Sequence, residues 1–170
     1  MVSQSPLRRR LAQALIAALL AGPAFAVAVH AEMPADDMAA ARTEPLGIAS
    51  KKNGRHAFKV EVMRNDADRA RGLMFRKAMA ADRGMLFDFE QVQPVNMWMK
   101  NTYLSLDMVF IRPDGTIARI AADTEPLSTK VIASGEPILA VLELNAGTTD
   151  KLGIRPGDRV EHALFKGRGR

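Results

Sequence analysis

The sequence predicts a mostly β domain, α+β by count, folded as a compact antiparallel sandwich or a partly open barrel with one or two short helices. Short apolar runs alternate with period two, explicit turn residues separate them, and no cysteine occurs in 170 residues. Short strands joined by tight turns build antiparallel sheets, whereas parallel pairs need crossovers of a dozen or more residues. Without disulfides, burial alone must hold the core.

The elements follow in order. Leu46-Gly47-Ile48 and then Phe58, Val60 and Val62, alternating with Lys59 and Glu61, flank Asn53-Gly54 and predict a hairpin. Residues 65–72 change character: Asn65 or Asp66 suits an N-cap, acids occupy the first turn and Gly72 ends it, so a short helix is expected. A second helical turn is expected over Lys77 to Ala81, closed by Asp82-Arg83-Gly84. Strands then follow at Met85 to Phe89, Val95 to Lys100, Leu106 to Ile111, Ile117 to Ala122, Ile138 to Leu144 and Arg159 to Phe165. Pro113-Asp114-Gly115, Asn145-Ala146-Gly147 and Arg155-Pro156-Gly157-Asp158 turn the chain between them.

Before the domain, Arg8, Arg9 and Arg10 precede an apolar run from Leu11 to Val29, the layout of a signal peptide over residues 1–31. Ala24-Phe25-Ala26 and Val29-His30-Ala31 both suit the peptidase, so the mature chain is expected to start at Val27 or Glu32. Gly22-Pro23 interrupts the run short of the ~20 residues of a spanning helix. With no following cysteine for a lipid, no stable membrane anchor is expected after cleavage. The expectation is a periplasmic or secreted monomer with a flexible linker over 32–45, one domain over 46–166 and a basic tail over 167–170.

The net charge of +5 overstates the basic character. Three of 24 basic residues lie in the leader, leaving 21 against 19 acids, and the excess gathers at the C-terminus. No basic stripe interleaved with aromatics is present, so no nucleic-acid partner is expected.

Phosphate loops, His-Glu-x-x-His zinc helices and Gly-x-Ser-x-Gly elbows are all missing. His56 and His162 read as surface or edge-strand histidines, since zinc needs three or four ligands. Met63, Met74, Met79, Met85, Met97, Met99 and Met108 evoke copper(I), yet they alternate with apolar residues and read as core filler. No cofactor or metal is expected.

Asp107 and Glu143 carry more information. Each lies in a strand apolar on both faces, Asp107 in phase with Val109 and Ile111, Glu143 with Leu139 and Val141. An ionised carboxylate there needs a cation or several donors, and Lys100, Arg71 and Arg76 are the candidate partners. Either the acids form a pair near a lysine that binds a polar ligand or exchanges protons, or they fix strand register as buried ion pairs or reach solvent at strand ends. In Asn96-Met97-Trp98-Met99-Lys100-Asn101-Thr102, alternation puts Asn96, Trp98 and Lys100 on one face. The sole tryptophan is then either a cleft wall for a planar or sugar-like ligand or a core residue with polar neighbours.

The blocks Arg71-Gly72-Leu73-Met74-Phe75-Arg76, Gly84-Met85-Leu86-Phe87, Trp98-Met99-Lys100-Asn101-Thr102, Leu106-Asp107-Met108-Val109-Phe110, Val141-Leu142-Glu143-Leu144-Asn145-Ala146-Gly147 and Gly157-Asp158-Arg159-Val160 together resemble the DUF192 family. The resemblance runs from about Ala57 to the domain's end. The family's usual proline before Leu-Asp is Ser105 here. The resemblance implies a compact, mostly β, often exported protein and brings no established activity. Its polar motif members fall on Arg71, Arg76, Lys100, Asn101, Thr102, Asp107 and Glu143. With Trp98, these form the candidate ligand-binding set.

Three functions remain open from the sequence: a small-ligand-binding module with a polar cleft, a hydrolase using Asp107 or Glu143 as acid or base, and a structural or assembly factor meeting another envelope protein.

Overall fold

The computed structural model describes residues 42–167. The expected signal peptide with its cleavage sites, residues 32–41 of the linker and the last three residues of the tail lie outside the described residues. Seven strands form one sheet: β1 Glu44–Ser50, β2 Gly54–Met63, β3 Arg83–Met97, β4 Leu106–Ile111, β5 Ile117–Ala121, β6 Ile132–Asn145 and β7 Arg159–Glu161. Their spatial order is β5-β4-β6-β3-β2-β1-β7.

The sheet curls until its edges meet. Val160 N–H donates to the Gly115 carbonyl at 2.8 Å and Ile117 N–H to the Asp158 carbonyl at 2.9 Å, joining β7 to the start of β5. This is a partly open barrel, one of the two architectures expected from the alternation. Gly115 is required at the seam: its φ is +86°, and a Cβ there would lie 2.6 Å from the Val160 oxygen. Leu46, Ile48, Val60, Leu86, Val109, Leu142 and Val160 belong to one apolar cluster that draws on both edges and the middle of the sheet.

The hairpin β1–β2 pairs antiparallel as expected, with Ser50 opposite Gly54. The helix also forms, as α1 Asp66–Arg71, and the Asn65 side chain accepts from Asp68 N–H as N-cap. Other expectations need correction. The second helical turn expected over Lys77 to Ala81 does not form. The two strands expected at Met85 and Val95 are one long β3, bent where its register against β6 shifts between Asp88 and Gln93. And β2 pairs with β3 in parallel, because residues 64–82, including α1, supply a crossover long enough for one parallel pair.

That crossover builds the site. It packs on the face of the sheet opposite the first cluster, where Leu73 and Met79 join Met85, Phe87, Met99, Met108, Phe110 and Val141 in a second apolar cluster.

Candidate functional site

β6 pairs with β3 on one side and β4 on the other, with Glu143 opposite both Met85 and Met108. Directly opposed residues share a face, so Glu143 points with these methionines into the second cluster. Asp107 precedes Met108 and therefore points the other way. The pairing of the two carboxylates, one of the two readings open from the sequence, does not occur, because they lie on opposite faces of the sheet.

The two acids have different surroundings. Asp107 is fully buried and accepts from Asp123 N–H (3.1 Å), Gly147 N–H (3.1 Å), Thr149 N–H (2.8 Å) and the Thr149 hydroxyl (2.8 Å). Its partners are these donors, not Lys100, Arg71 or Arg76. Gly147 is the N-cap of α2, Thr148–Lys151, and has no side chain to cap it. Asp107 performs that task from a distance.

Glu143 is 4% exposed. Among the described residues its carboxyl has no hydrogen-bond or ion-pair partner, and burial pushes its pKa up to about 8. It lines a cleft of about 420 Å³ whose walls include Arg71, Asn96, Trp98, Lys100 and Thr102. Such a volume suits a small metabolite.

β3 ends at Met97, so Trp98 and Lys100 stand on a turn rather than in a strand. Burial nevertheless alternates, with Met99 1% and Trp98 50% exposed. Trp98 is thus a cleft wall and not a core residue. The Lys100 ammonium sits 5.4 Å from the centre of its ring, a cation–π distance. The turn is held in place by Met99 N–H donating to Ser128 O at 2.9 Å and Phe75 N–H donating to Asn101 O at 2.9 Å. Both Phe75 and Asn101 have positive φ, 65° and 56°. A phenylalanine in that region costs about 1–3 kcal/mol, and such strain clusters at ligand sites.

The remaining candidates separate. Arg76 leaves the cleft for a bidentate pair with Glu61 at 2.5 and 2.9 Å. Thr102 is buried, its hydroxyl donating to Lys100 O at 3.3 Å, while the Asn101 amide rests 3.8 Å from the Met74 sulfur. Both support the turn. The alternation reading put Glu61 on a polar face, yet it is buried, because β2 is flanked by β1 and β3 and its outer face is covered by the crossover.

Arg69 and Phe89 also line the cleft and were not singled out from the sequence. Arg69 pairs with Asp66 at 2.6 Å, donates to Asp88 O at 2.6 Å and lies 5.9 Å from the Phe89 ring centre. Its i,i+3 spacing from Asp66 was the available signal. His162 is not on the surface: it is buried, its Nδ1 accepts from Leu164 N–H at 3.2 Å, and burial lowers its pKa against the pull of Glu44. Among the described residues, no three His, Cys, Asp or Glu side chains are grouped to hold a metal.

Fold and cleft together define a small curled β domain with a one-sided polar pocket under a parallel crossover. The chain belongs to the DUF192 family, described as an uncharacterized ACR, whose model matches residues 48–162. It is similar to the crystal structure of a proposed transcription regulator from Sinorhizobium meliloti, at 48% identity and TM-score 0.71, over 73% of this chain and 96% of that one. It is also similar to the structure of a protein of unknown function from Novosphingobium aromaticivorans, at 37% identity and TM-score 0.69, over 72% of this chain and 86% of that one. No curated protein matches the chain.

Proposed function

We propose that the domain is a small-ligand-binding module whose cleft lies between α1, the start of the crossover and the turn after β3. The observation that supports this reading best is Glu143, a buried carboxyl with no partner among the described residues, at a cleft walled by Trp98 and Lys100. Burial disfavours the charged carboxylate, and a ligand in the cleft would accept from its neutral form. A hydrolase working with two carboxylates is not proposed, since Asp107 is on the other face and occupied by four donors. The near balance of charge after the leader favours a small ligand over a nucleic acid.

Trp98 is the only tryptophan, so its emission reports on the cleft alone. A panel of metabolites, sugars and metals should contain a compound that shifts this emission and raises Tm by several degrees, since a ligand at 100 times its Kd adds about 2.7 kcal/mol. The signal should fade on Lys100→Ala. Compounds that raise Tm while leaving Trp98 emission unmoved would place binding elsewhere and overturn the proposal. Silence throughout the panel, with an envelope protein captured at the exposed Phe75 and Tyr103, would favour the assembly role.

We propose also that the module works outside the cytoplasm, as a periplasmic or secreted monomer, on the strength of the arginine-led apolar leader. N-terminal sequencing of the protein recovered from the periplasm or medium should read from Val27 or Glu32; an intact Met1 in the cytoplasmic fraction would refute export.

A further inference from the structure

The chemical class of the ligand can be argued from the charges around Glu143, and this step rests on the binding reading above. The strands that flank Glu143 present only Met85 and Met108 towards it. The charged residues of the cleft come from α1 and the turn after β3: Asp66, Arg69, Arg71 and Lys100. Asp66 and Arg69 neutralise each other at 2.6 Å. Among the described residues Lys100 has no carboxylate within ion-pair reach, and its ammonium sits over the Trp98 ring. Glu143 itself is predominantly protonated at neutral pH because of its burial. The cleft therefore offers the Lys100 ammonium at its wall and a carboxylic O–H donor, with no unpaired anion among its lining side chains.

That arrangement is complementary to an oxyanion. A cationic ligand would meet Lys100 unopposed, and a neutral polyol would leave that charge without use. An oxyanion accepts from the carboxylic acid through a charge-assisted O–H···O⁻ bond, roughly twice as strong as a neutral one, while the apolar face of the ligand covers Trp98. We infer that the cleft binds a small organic anion, carrying a carboxylate or a phosphate, with Glu143 donating its carboxyl hydrogen to the anion and Lys100 balancing the charge. Binding then requires the proton on Glu143. An anion and an ionised Glu143 would exclude one another.

A matched set of sugars isolates charge from shape: galactose, galacturonate, galactosamine and galactose 6-phosphate, each titrated against Trp98 emission with the full chain. Galacturonate or galactose 6-phosphate should bind at least tenfold tighter than galactose at pH 6.5, and which of the two does so distinguishes carboxylate from phosphate. Galacturonate does not titrate between pH 6.5 and 9, so for it the pH profile reports the protein. Its affinity should fall by up to tenfold per pH unit above about 8, the signature of one coupled proton. Lys100→Ala should weaken it at least tenfold. Glu143→Gln keeps a donor but no titrating group, and should flatten the pH profile while retaining binding.

Galactose or galactosamine binding as tightly as the anions would overturn the anion assignment and leave the ligand-binding reading standing. Anion binding that survives unchanged in Lys100→Ala, or keeps its pH dependence in Glu143→Gln, would overturn the assignment of these two groups. Failure of all four sugars to move Trp98 emission would also overturn the anion assignment, and the wider panel would then decide whether the cleft binds at all.

Discussion

Asp107→Ala should lower folding stability by about 4 kcal/mol in the absence of any ligand, a loss comparable to removing one member of a buried charged network. The side chain is fully buried and is the shared acceptor of three backbone N–H groups and one hydroxyl. Truncation leaves all four donors facing a void. Two of those N–H groups, from Gly147 and Thr149, open α2, so the loss extends to the turn that leads the chain out of β6. For a domain of this size such a loss lowers Tm by about 15 °C. Asp107→Asn keeps one oxygen with its two donors and turns an NH₂ towards the others, so it should cost about half as much. Urea denaturation of the three proteins, followed by far-UV circular dichroism, measures both effects. If the alanine variant melts within 3 °C of the parent, Asp107 does not hold α2 to the sheet.

The sequence allowed Asp107 and Glu143 to be read as a pair for want of register. Each strand, taken alone, shows an acid in phase with apolar neighbours, and that much is true of both. What a single strand cannot show is its register against the next. Met108 stands opposite Glu143, and a shift of one residue would have put Asp107 there instead. The boundaries of β4 and the Asn65 cap were legible because local chemistry determines them. The parallel pairing of β2 with β3 was not, since it depends on the crossover folding back over the sheet, which no local pattern encodes. The same crossover buries Glu61 and draws Arg76 away from the cleft. Trp98 and Lys100 were recognised by composition, and their shared wall survives although β3 ends before them.

Glu143→Gln should change how stability depends on pH. Burial raises the folded-state pKa of Glu143 from 4.5 to about 8, so between those values the folded chain holds a proton that the unfolded chain has released. Stability from this group is complete below about pH 4.5, falls by about 1.4 kcal/mol per pH unit as pH rises, and levels off above pH 8. Glutamine does not titrate. Any cost of its amide is the same at every pH. The decisive quantity is therefore the difference between the two stability curves, from which the other titrating groups cancel: the variant should gain on the parent steadily from pH 5 to pH 8. Denaturant melts at half-unit steps across that range supply it, and parallel curves would show that Glu143 is hydrated rather than buried. A leucine in its place would pack against Met85 and Met108 without any such cost. A carboxyl that weakens the fold at neutral and alkaline pH, facing a cleft with a tryptophan and a lysine, makes physical sense as part of a site that a ligand from solution fills.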